Sequence, residues 1–308
     1  MNKDTKIFLA GHNGLAGSSI LETLKESGYN NILLLNRKEL DLTSQQEVEA
    51  FFSKHKPEVT ILAAAKVGGI NANISYPAQF LYENLAIQNN VIHFSYLYGV
   101  KRFMFLASSC IYPRECLQPM KEDYLFTGPL EPTNEGYALA KISGMKMLEY
   151  YKKQYGFHST TLIPCNLYGP KEKIDLQHSH VLSALVKRFS DAKKENKNHV
   201  ELWGNGAAKR EFMHVKDMAR GLLFCFENDI PYDYFNIGSG TDISIKDLAE
   251  LIRQKTSYQG EVRWDTSKPN GMPKKCMDIS KITSQGFNTT IDLDKGIEEM
   301  ILSYNKEL

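Results

Sequence analysis

Short apolar runs alternate with longer segments of helical period through the first half of the chain. The runs Lys6–Ala10, Asn31–Leu35, Val59–Ala63, Phe103–Ser108, Thr161–Cys165 and Tyr234–Ile237 are rich in β-branched and aromatic residues and read as strands. Between them apolar positions recur at helical spacing, which predicts helices near Leu15–Ser27, Gln45–Lys54, Pro77–Gly99 and Asn134–Tyr155. Strands that are apolar throughout are covered on both faces, and a helix between successive strands makes each connection a parallel crossover. The pattern therefore predicts a doubly wound α/β fold. After residue 166 the rhythm degrades. The stretches Tyr168–Gln177, Glu195–Asn198, Trp203–Arg210 and Ser267–Lys275 carry glycine, proline and charge, as expected of segments that build a pocket. The lysine-rich Lys193–Asn198 stretch reads as a solvated loop.

Composition narrows the function classes. A chain of 308 residues has room for one large domain or two. Lys and Arg total 37 against 36 Asp and Glu, so the formal charge is +1, without the electrostatic footprint of a general nucleic-acid or membrane-surface binder. Apolar residues at 42% and charged residues at 24% exclude a disordered or fibrous chain. Five scattered cysteines without a C-x-x-C pair suit reduced thiols better than a disulfide frame, and no metal site is expected. No run approaches the roughly 20 apolar residues of a membrane span. The four apolar residues Ile7 to Ala10 are too few for a signal peptide's core, so the expectation is a soluble, cytoplasmic protein.

The first strand runs into Gly11-His12-Asn13-Gly14-Leu15-Ala16-Gly17, and a helix follows. Gly11 permits the tight turn, Gly14 lets the backbone approach a pyrophosphate, and Gly17 allows close packing of helix on strand. The helix N-terminus adds free N–H groups and a positive dipole end. This placement turns a weak three-glycine signal into a dinucleotide site on a Rossmann sheet. The second strand ends in Asn36-Arg37, and a guanidinium there suits the 2′-phosphate of NADP, where NAD binders place a carboxylate. Asp41, slightly further on, borders the adenine in this reading.

Tyr137 and Lys141 stand four apart at the start of a predicted helix, hence on one face, where an ammonium can stabilise a phenolate. Such a pair is common by itself. Here Ser108 ends the fourth strand, at the sheet edge where doubly wound folds bind ligands. Ser108, Tyr137 and Lys141 behind that glycine loop resemble the triad of the short-chain dehydrogenase/reductase family. The length and the second region resemble its extended branch, which modifies sugar nucleotides.

Longer motifs sharpen the resemblance. Ala63-Ala64-Ala65-Lys66-Val67-Gly68-Gly69-Ile70, Ser108-Ser109-Cys110-Ile111-Tyr112-Pro113, Glu131-Pro132-Thr133-Asn134-Glu135 and Asn166-Leu167-Tyr168-Gly169-Pro170 are similar to segments of the GDP-L-fucose synthase family. So are Ser179-His180-Val181, Trp203-Gly204 and Arg210-Glu211-Phe212. The resemblance implies an NADP-binding domain at 1–165 with a returning segment near 211–240, and a mainly GDP-sugar-binding α/β domain at 166–308. It implies NADPH-dependent epimerisation at sugar carbons 3 and 5 of a GDP-4-keto-6-deoxyhexose, then reduction at carbon 4. Ser108, Tyr137 and Lys141 would serve reduction, and Cys110 and His180 would be the epimerising base and acid. Gly11, Asn13, Gly14, Gly17, Arg37, Asp41, Ala64 and Lys141 would hold the cofactor, and Asn166, Arg188, Trp203, Arg210 and Lys275 the substrate. Without the resemblance, Arg188 reads as solvated and Trp203 as a core anchor.

Two departures stand out. Asn13 occupies a position where relatives often carry a second arginine for the 2′-phosphate, so the NADP preference rests on Arg37. The loop Lys171–Gln177 lacks the family's usual residues, which leaves open a reductase of a related GDP-4-keto sugar, such as a 3,6-dideoxyhexose or a 6-deoxyheptose. A non-catalytic NADP sensor is a third reading, disfavoured by the intact triad. The two long helices carry apolar residues beyond the needs of the sheet, including Phe80, Leu81, Tyr82, Ile87, Met147 and Tyr151. In the family the equivalent helices pair across a two-fold axis, so a homodimer is expected.

Overall fold

The computed structural model describes residues 2–172, 180–228, 230–268 and 272–307. The chain runs β1 (Ile7–Ala10), α1 (Leu15–Glu26), β2 (Ile32–Leu33), α2 (Gln45–His55), β3 (Val59–Leu62), α3 (Ile70–Ser75), α4 (Pro77–Leu97), β4 (Arg102–Leu106), α5 (Glu135–Tyr155) and β5 (Ser159–Pro164). There follow β6 (Asn166–Tyr168), α6 (Val181–Lys194), β7 (His199–Trp203), β8 (Lys209–His214), α7 (Val215–Glu227), β9 (Tyr234–Ile237), β10 (Asp242–Ser244), α8 (Ile245–Thr256), β11 (Glu261–Asp265), β12 (Lys274–Lys275), α9 (Ser280–Ser284) and α10 (Leu293–Glu307).

Local chemistry sets the boundaries. Ser44 caps α2 by accepting from the Glu47 N–H, the pairing expected of a Ser-x-x-Glu start. Pro77 opens α4 in the first turn, where its missing N–H costs nothing. Gly156, at φ 67°, ends α5 in the left-handed conformation.

Six strands form one parallel sheet in the order β2-β1-β3-β4-β5-β9. The winding reverses at β1, which opens a crevice at the carboxyl ends of β1 and β3. Strands β1, β3, β4 and β5 are buried at every position, as their apolar runs predict. A large core surrounds this sheet, with Phe8, Phe52, Phe103, Phe105 and Phe235 among its largest members. Met213, Val215, Met218, Leu222 and Phe226 join the same core, so the chain returns to the first sheet through α7 and β9.

A second core gathers Leu185, Phe189, Leu202, Phe212, Leu248, Ile252 and Ile301. Its strands are β8 flanked by β10 and β12, with β6 also on β8, and the separate pair β7-β11. This region is as regular as the first, against the degraded rhythm of the sequence. The reason is a change of period. Positions along β7 alternate exposed and buried, so the strand never shows a continuous apolar run.

Candidate active site

The glycine loop closes on itself by backbone contact. Gly11 has φ 92°, and a Cβ there would stand 2.5 Å from the Ala64 nitrogen. A Cβ on Gly17 would stand 2.0 Å from the Gly11 carbonyl oxygen. Gly14 caps α1 with no side chain to satisfy the first N–H groups, and the first turn holds no acidic residue. Those N–H groups and the positive helix end remain open to an anion. His12 adds a buried Nδ1 without a partner among the described residues. The cradle fits a dinucleotide pyrophosphate, with Ala64 forming its wall after β3.

The segment that follows β2 is electrostatically mixed. Arg37 is 73% exposed and lies 3.5 Å from the Glu83 carboxylate, whose other oxygen is held by Lys66. Asp41 accepts from the Thr43 N–H at 2.9 Å and the Thr43 hydroxyl at 2.8 Å, and these bonds hold its carboxyl below the usual range. Asn13 is exposed beside the loop.

Past β4 the chain turns sharply. The Ser108 hydroxyl oxygen accepts from the Cys110 N–H at 3.4 Å and caps the single turn Ser109–Ile111, which leaves its proton free to donate. Cys110 is buried, and burial pushes its thiol up. The ammonium groups of Lys275 and Lys141 and the bond to Ser108 pull the other way. Lys141 is buried on α5, donates to the Leu106 carbonyl at 2.8 Å, and is pushed down to about 8 by desolvation. Its Nζ stands 5.8 Å from the centre of the Tyr137 ring.

Desolvation pushes the Tyr137 phenol up, and so does the nearby Cys110 sulfur. Lys141, on the same helix face, turns its ammonium to the Leu106 carbonyl. His180 caps α6. The residue is exposed, and its imidazole is pushed down by desolvation and by Lys275. Lys275 thus acts on both Cys110 and His180.

The other expected substrate residues fall into two groups. Arg210 and Lys275 are register partners on β8 and β12, and the Asn166 amide donates to the Glu211 carbonyl at 2.8 Å, so these three share one small sheet. Arg188 and Trp203 form a separate group, with Arg188 donating to the Glu201 carbonyl at 2.7 Å on the strand that ends in Trp203. Trp203 is 58% exposed, which removes the core-anchor reading. Residues 173–179, including Ser179 and most of the altered loop, lie outside the described residues.

Sequence reasoning missed several buried polar groups. Tyr112 donates to Asn236 at 2.6 Å, while Asn236 donates to the Glu122 carboxylate and to the carbonyls of Met120 and Asp278. This hub anchors the segment that carries Cys110. Glu172 buries a carboxyl oxygen without a partner among the described residues, and desolvation pushes it up to about 7. Glu211, buried in β8, enters the motif reading only as the neighbour of Arg210. Its signal was an acidic residue one position from a strand's apolar stretch, Phe212-Met213.

A crossover sheet with a glycine cradle at its switch point and Ser108, Tyr137 and Lys141 along the same edge defines a nucleotide-dependent oxidoreductase class. The chain belongs to the NAD dependent epimerase/dehydratase family, whose pattern matches residues 7–238. It is 48% identical over 299 residues to the putative GDP-L-fucose synthase 2 of Arabidopsis thaliana, covering 97% of this chain and 91% of that one. It is 42% identical over 301 residues to the GDP-L-fucose synthase of Escherichia coli K12, covering 95% and 94%. Among solved structures, the GDP-mannoheptose C4 reductase MlghC of Campylobacter jejuni, with NADP bound, superposes with a TM-score of 0.92 at 40% identity, covering 99% of each chain.

Proposed function

We propose that this protein converts GDP-4-keto-6-deoxy-D-mannose to GDP-L-fucose by 3,5-epimerisation followed by NADPH-dependent reduction at carbon 4. The observation that supports the reading is the grouping around the end of β4, where Ser108 accepts from the Cys110 N–H at 3.4 Å and Lys141 donates to the Leu106 carbonyl with its Nζ 5.8 Å from the Tyr137 ring centre, while Lys275 acts on both Cys110 and His180. NADPH, when bound, supplies the hydride for carbon 4. The glycine cradle holds its pyrophosphate, Arg37 its 2′-phosphate, and Asp41 borders the adenine.

The keto group at carbon 4 acidifies the hydrogens on carbons 3 and 5. Hydroxyls of Ser108 and Tyr137 hydrogen-bond the oxygen and stabilise the enolate. A proton passes from the Cys110 thiol to the His180 imidazole through solvent; the thiolate then takes a proton from one face of the carbon and the imidazolium gives one to the other, and the same transfer resets the pair before the second centre inverts. Tyr137 then protonates the carbon 4 oxygen, and Lys141 on the same helix face holds Tyr137 and the nicotinamide ribose. Arg188, Arg210, Lys275 and Asn166 grip the GDP moiety, with paired guanidinium donors suited to a diphosphate, and Trp203 lies against the nucleotide or sugar. Residues 1–165 with the returning segment near 211–240 bind the cofactor, and 166–308 mainly the substrate.

The active form is a cytoplasmic homodimer. Five free cysteines support the reducing compartment. Tyr82, 72% exposed, with Leu97 on α4 and Leu139 and Tyr150 on α5 offers an apolar face for the second subunit, whereas Phe80 turns into the core.

A second reading, a C4 reductase of a related GDP-4-keto sugar, is favoured by the likeness to MlghC. Turnover of GDP-4-keto-6-deoxymannose with NADPH in heavy water separates the two. GDP-L-fucose deuterated at carbons 3 and 5 is the expected product. A reduced sugar without deuterium at those carbons would transfer the assignment to the reductase.

A further inference from the structure

Glu211 is 1% exposed, yet its carboxylate faces no cation among the described residues. Its partners are main-chain donors, the Gly240 N–H at 2.7 Å on one oxygen and the Met277 N–H at 2.7 Å on the other, with Ser239 adding to them; burial outweighs these bonds and pushes the carboxyl up to about 7. A buried charge is costly, and an apolar side chain would fill the same volume without that cost. What the carboxylate provides is a bond between strands of different origin. Gly240 lies in the turn from β9 to β10, so one oxygen holds the turn that leaves the edge strand of the large sheet. Met277 lies two residues past Lys275, so the other grips β12.

Strand alternation explains why this clamp stands behind the site. Arg210 and Glu211 point to opposite faces of β8. Lys275 is the register partner of Arg210, and parallel partners point the same way, so the guanidinium and the ammonium share the front face. Asn166 is paired with Phe212, two residues on from Arg210 and therefore on that face, and its amide is fixed by the Glu211 carbonyl. The approach is close enough that a Cβ on Gly238 would stand 2.1 Å from a Glu211 carboxyl oxygen. The β9–β10 turn, β8 and β12 meet at one side chain.

We propose that Glu211 is a positioning residue that sets the spacing of Asn166, Arg210 and Lys275 for the substrate's diphosphate. The inference rests on the assignment of those three residues to substrate binding. Glu211, 1% exposed, would act through those residues and not by contact with the substrate.

GDP titration of the full-length protein, beside NADPH titration and steady-state kinetics, tests it in Glu211→Gln and Arg210→Ala. Glu211→Gln should weaken GDP binding and raise KM for the GDP-sugar about tenfold, with NADPH affinity within about twofold and kcat within about threefold of the parent. A merely structural role would lower kcat and the NADPH-binding fraction together and leave KM unchanged, and would overturn the proposal. If Arg210→Ala weakens GDP binding and Glu211→Gln does not, the positioning role falls alone. If neither does, the substrate assignment falls first. Should Glu211→Gln not fold, Glu211→Asp, which keeps the charge and retracts it by one methylene, is read by the same titrations with the same outcomes.

Discussion

The ammonium of Lys141 donates to the Leu106 carbonyl at 2.8 Å while standing 5.8 Å from the centre of the Tyr137 ring. The lysine is therefore tied to the end of β4. Burial pushes it down to about 8. The unfolded chain then holds this proton more tightly than the folded one, so stability rises with pH from about 8 toward the ordinary lysine value. Below pH 8 the penalty is complete and constant. Against a Lys141→Met variant, the parent should gain on the order of 2 kcal/mol of relative stability between pH 8 and pH 10, read by urea unfolding. A difference independent of pH would show that the lysine is not desolvated.

Gly14 and Gly17 should separate binding from folding. Alanine at 17 meets the Gly11 carbonyl at 2.0 Å, whereas alanine at 14 finds its nearest atom at 3.5 Å with an ordinary φ of −81°. Gly17→Ala should cost about 3 kcal/mol and several degrees of Tm. Gly14→Ala should leave Tm within about 2 °C and weaken NADPH binding about tenfold, because only the ligand approaches there. Differential scanning calorimetry and NADPH titration check both. Equal losses of Tm in the two variants would contradict the cradle.

Much of this was legible along the chain, and the failures share a physical cause. The strands of the large sheet announce themselves because both faces are buried, so Ile7–Ala10 or Val59–Leu62 needs no knowledge of its neighbours. The glycine loop is legible for the same reason, since its spacing is a local backbone requirement. β7 hides because one of its faces is wet. Glu211 and Asn236 hide because their partners, Met277 and Gly240 for one and Met120 and Asp278 for the other, come from distant segments. The Tyr137–Lys141 spacing correctly put both on one helix face, but it could not show that the Leu106 carbonyl would capture the ammonium.

Arg37 should set cofactor preference despite its ion pair with Glu83. A guanidinium bonded to phosphate is worth about 1.5–3 kcal/mol, so Arg37→Met should raise KM for NADPH at least tenfold. KM for NADH should move less than about threefold, since NADH offers no 2′-phosphate. Parallel loss with both cofactors would assign Arg37 to structure.

The most direct test is the rate at which Tyr137→Phe oxidises NADPH with a GDP-4-keto sugar, followed by absorbance under single-turnover conditions. Loss of the phenolic proton should slow oxidation at least about 100-fold while NADPH binding persists. Oxidation at the parent's rate would contradict the account.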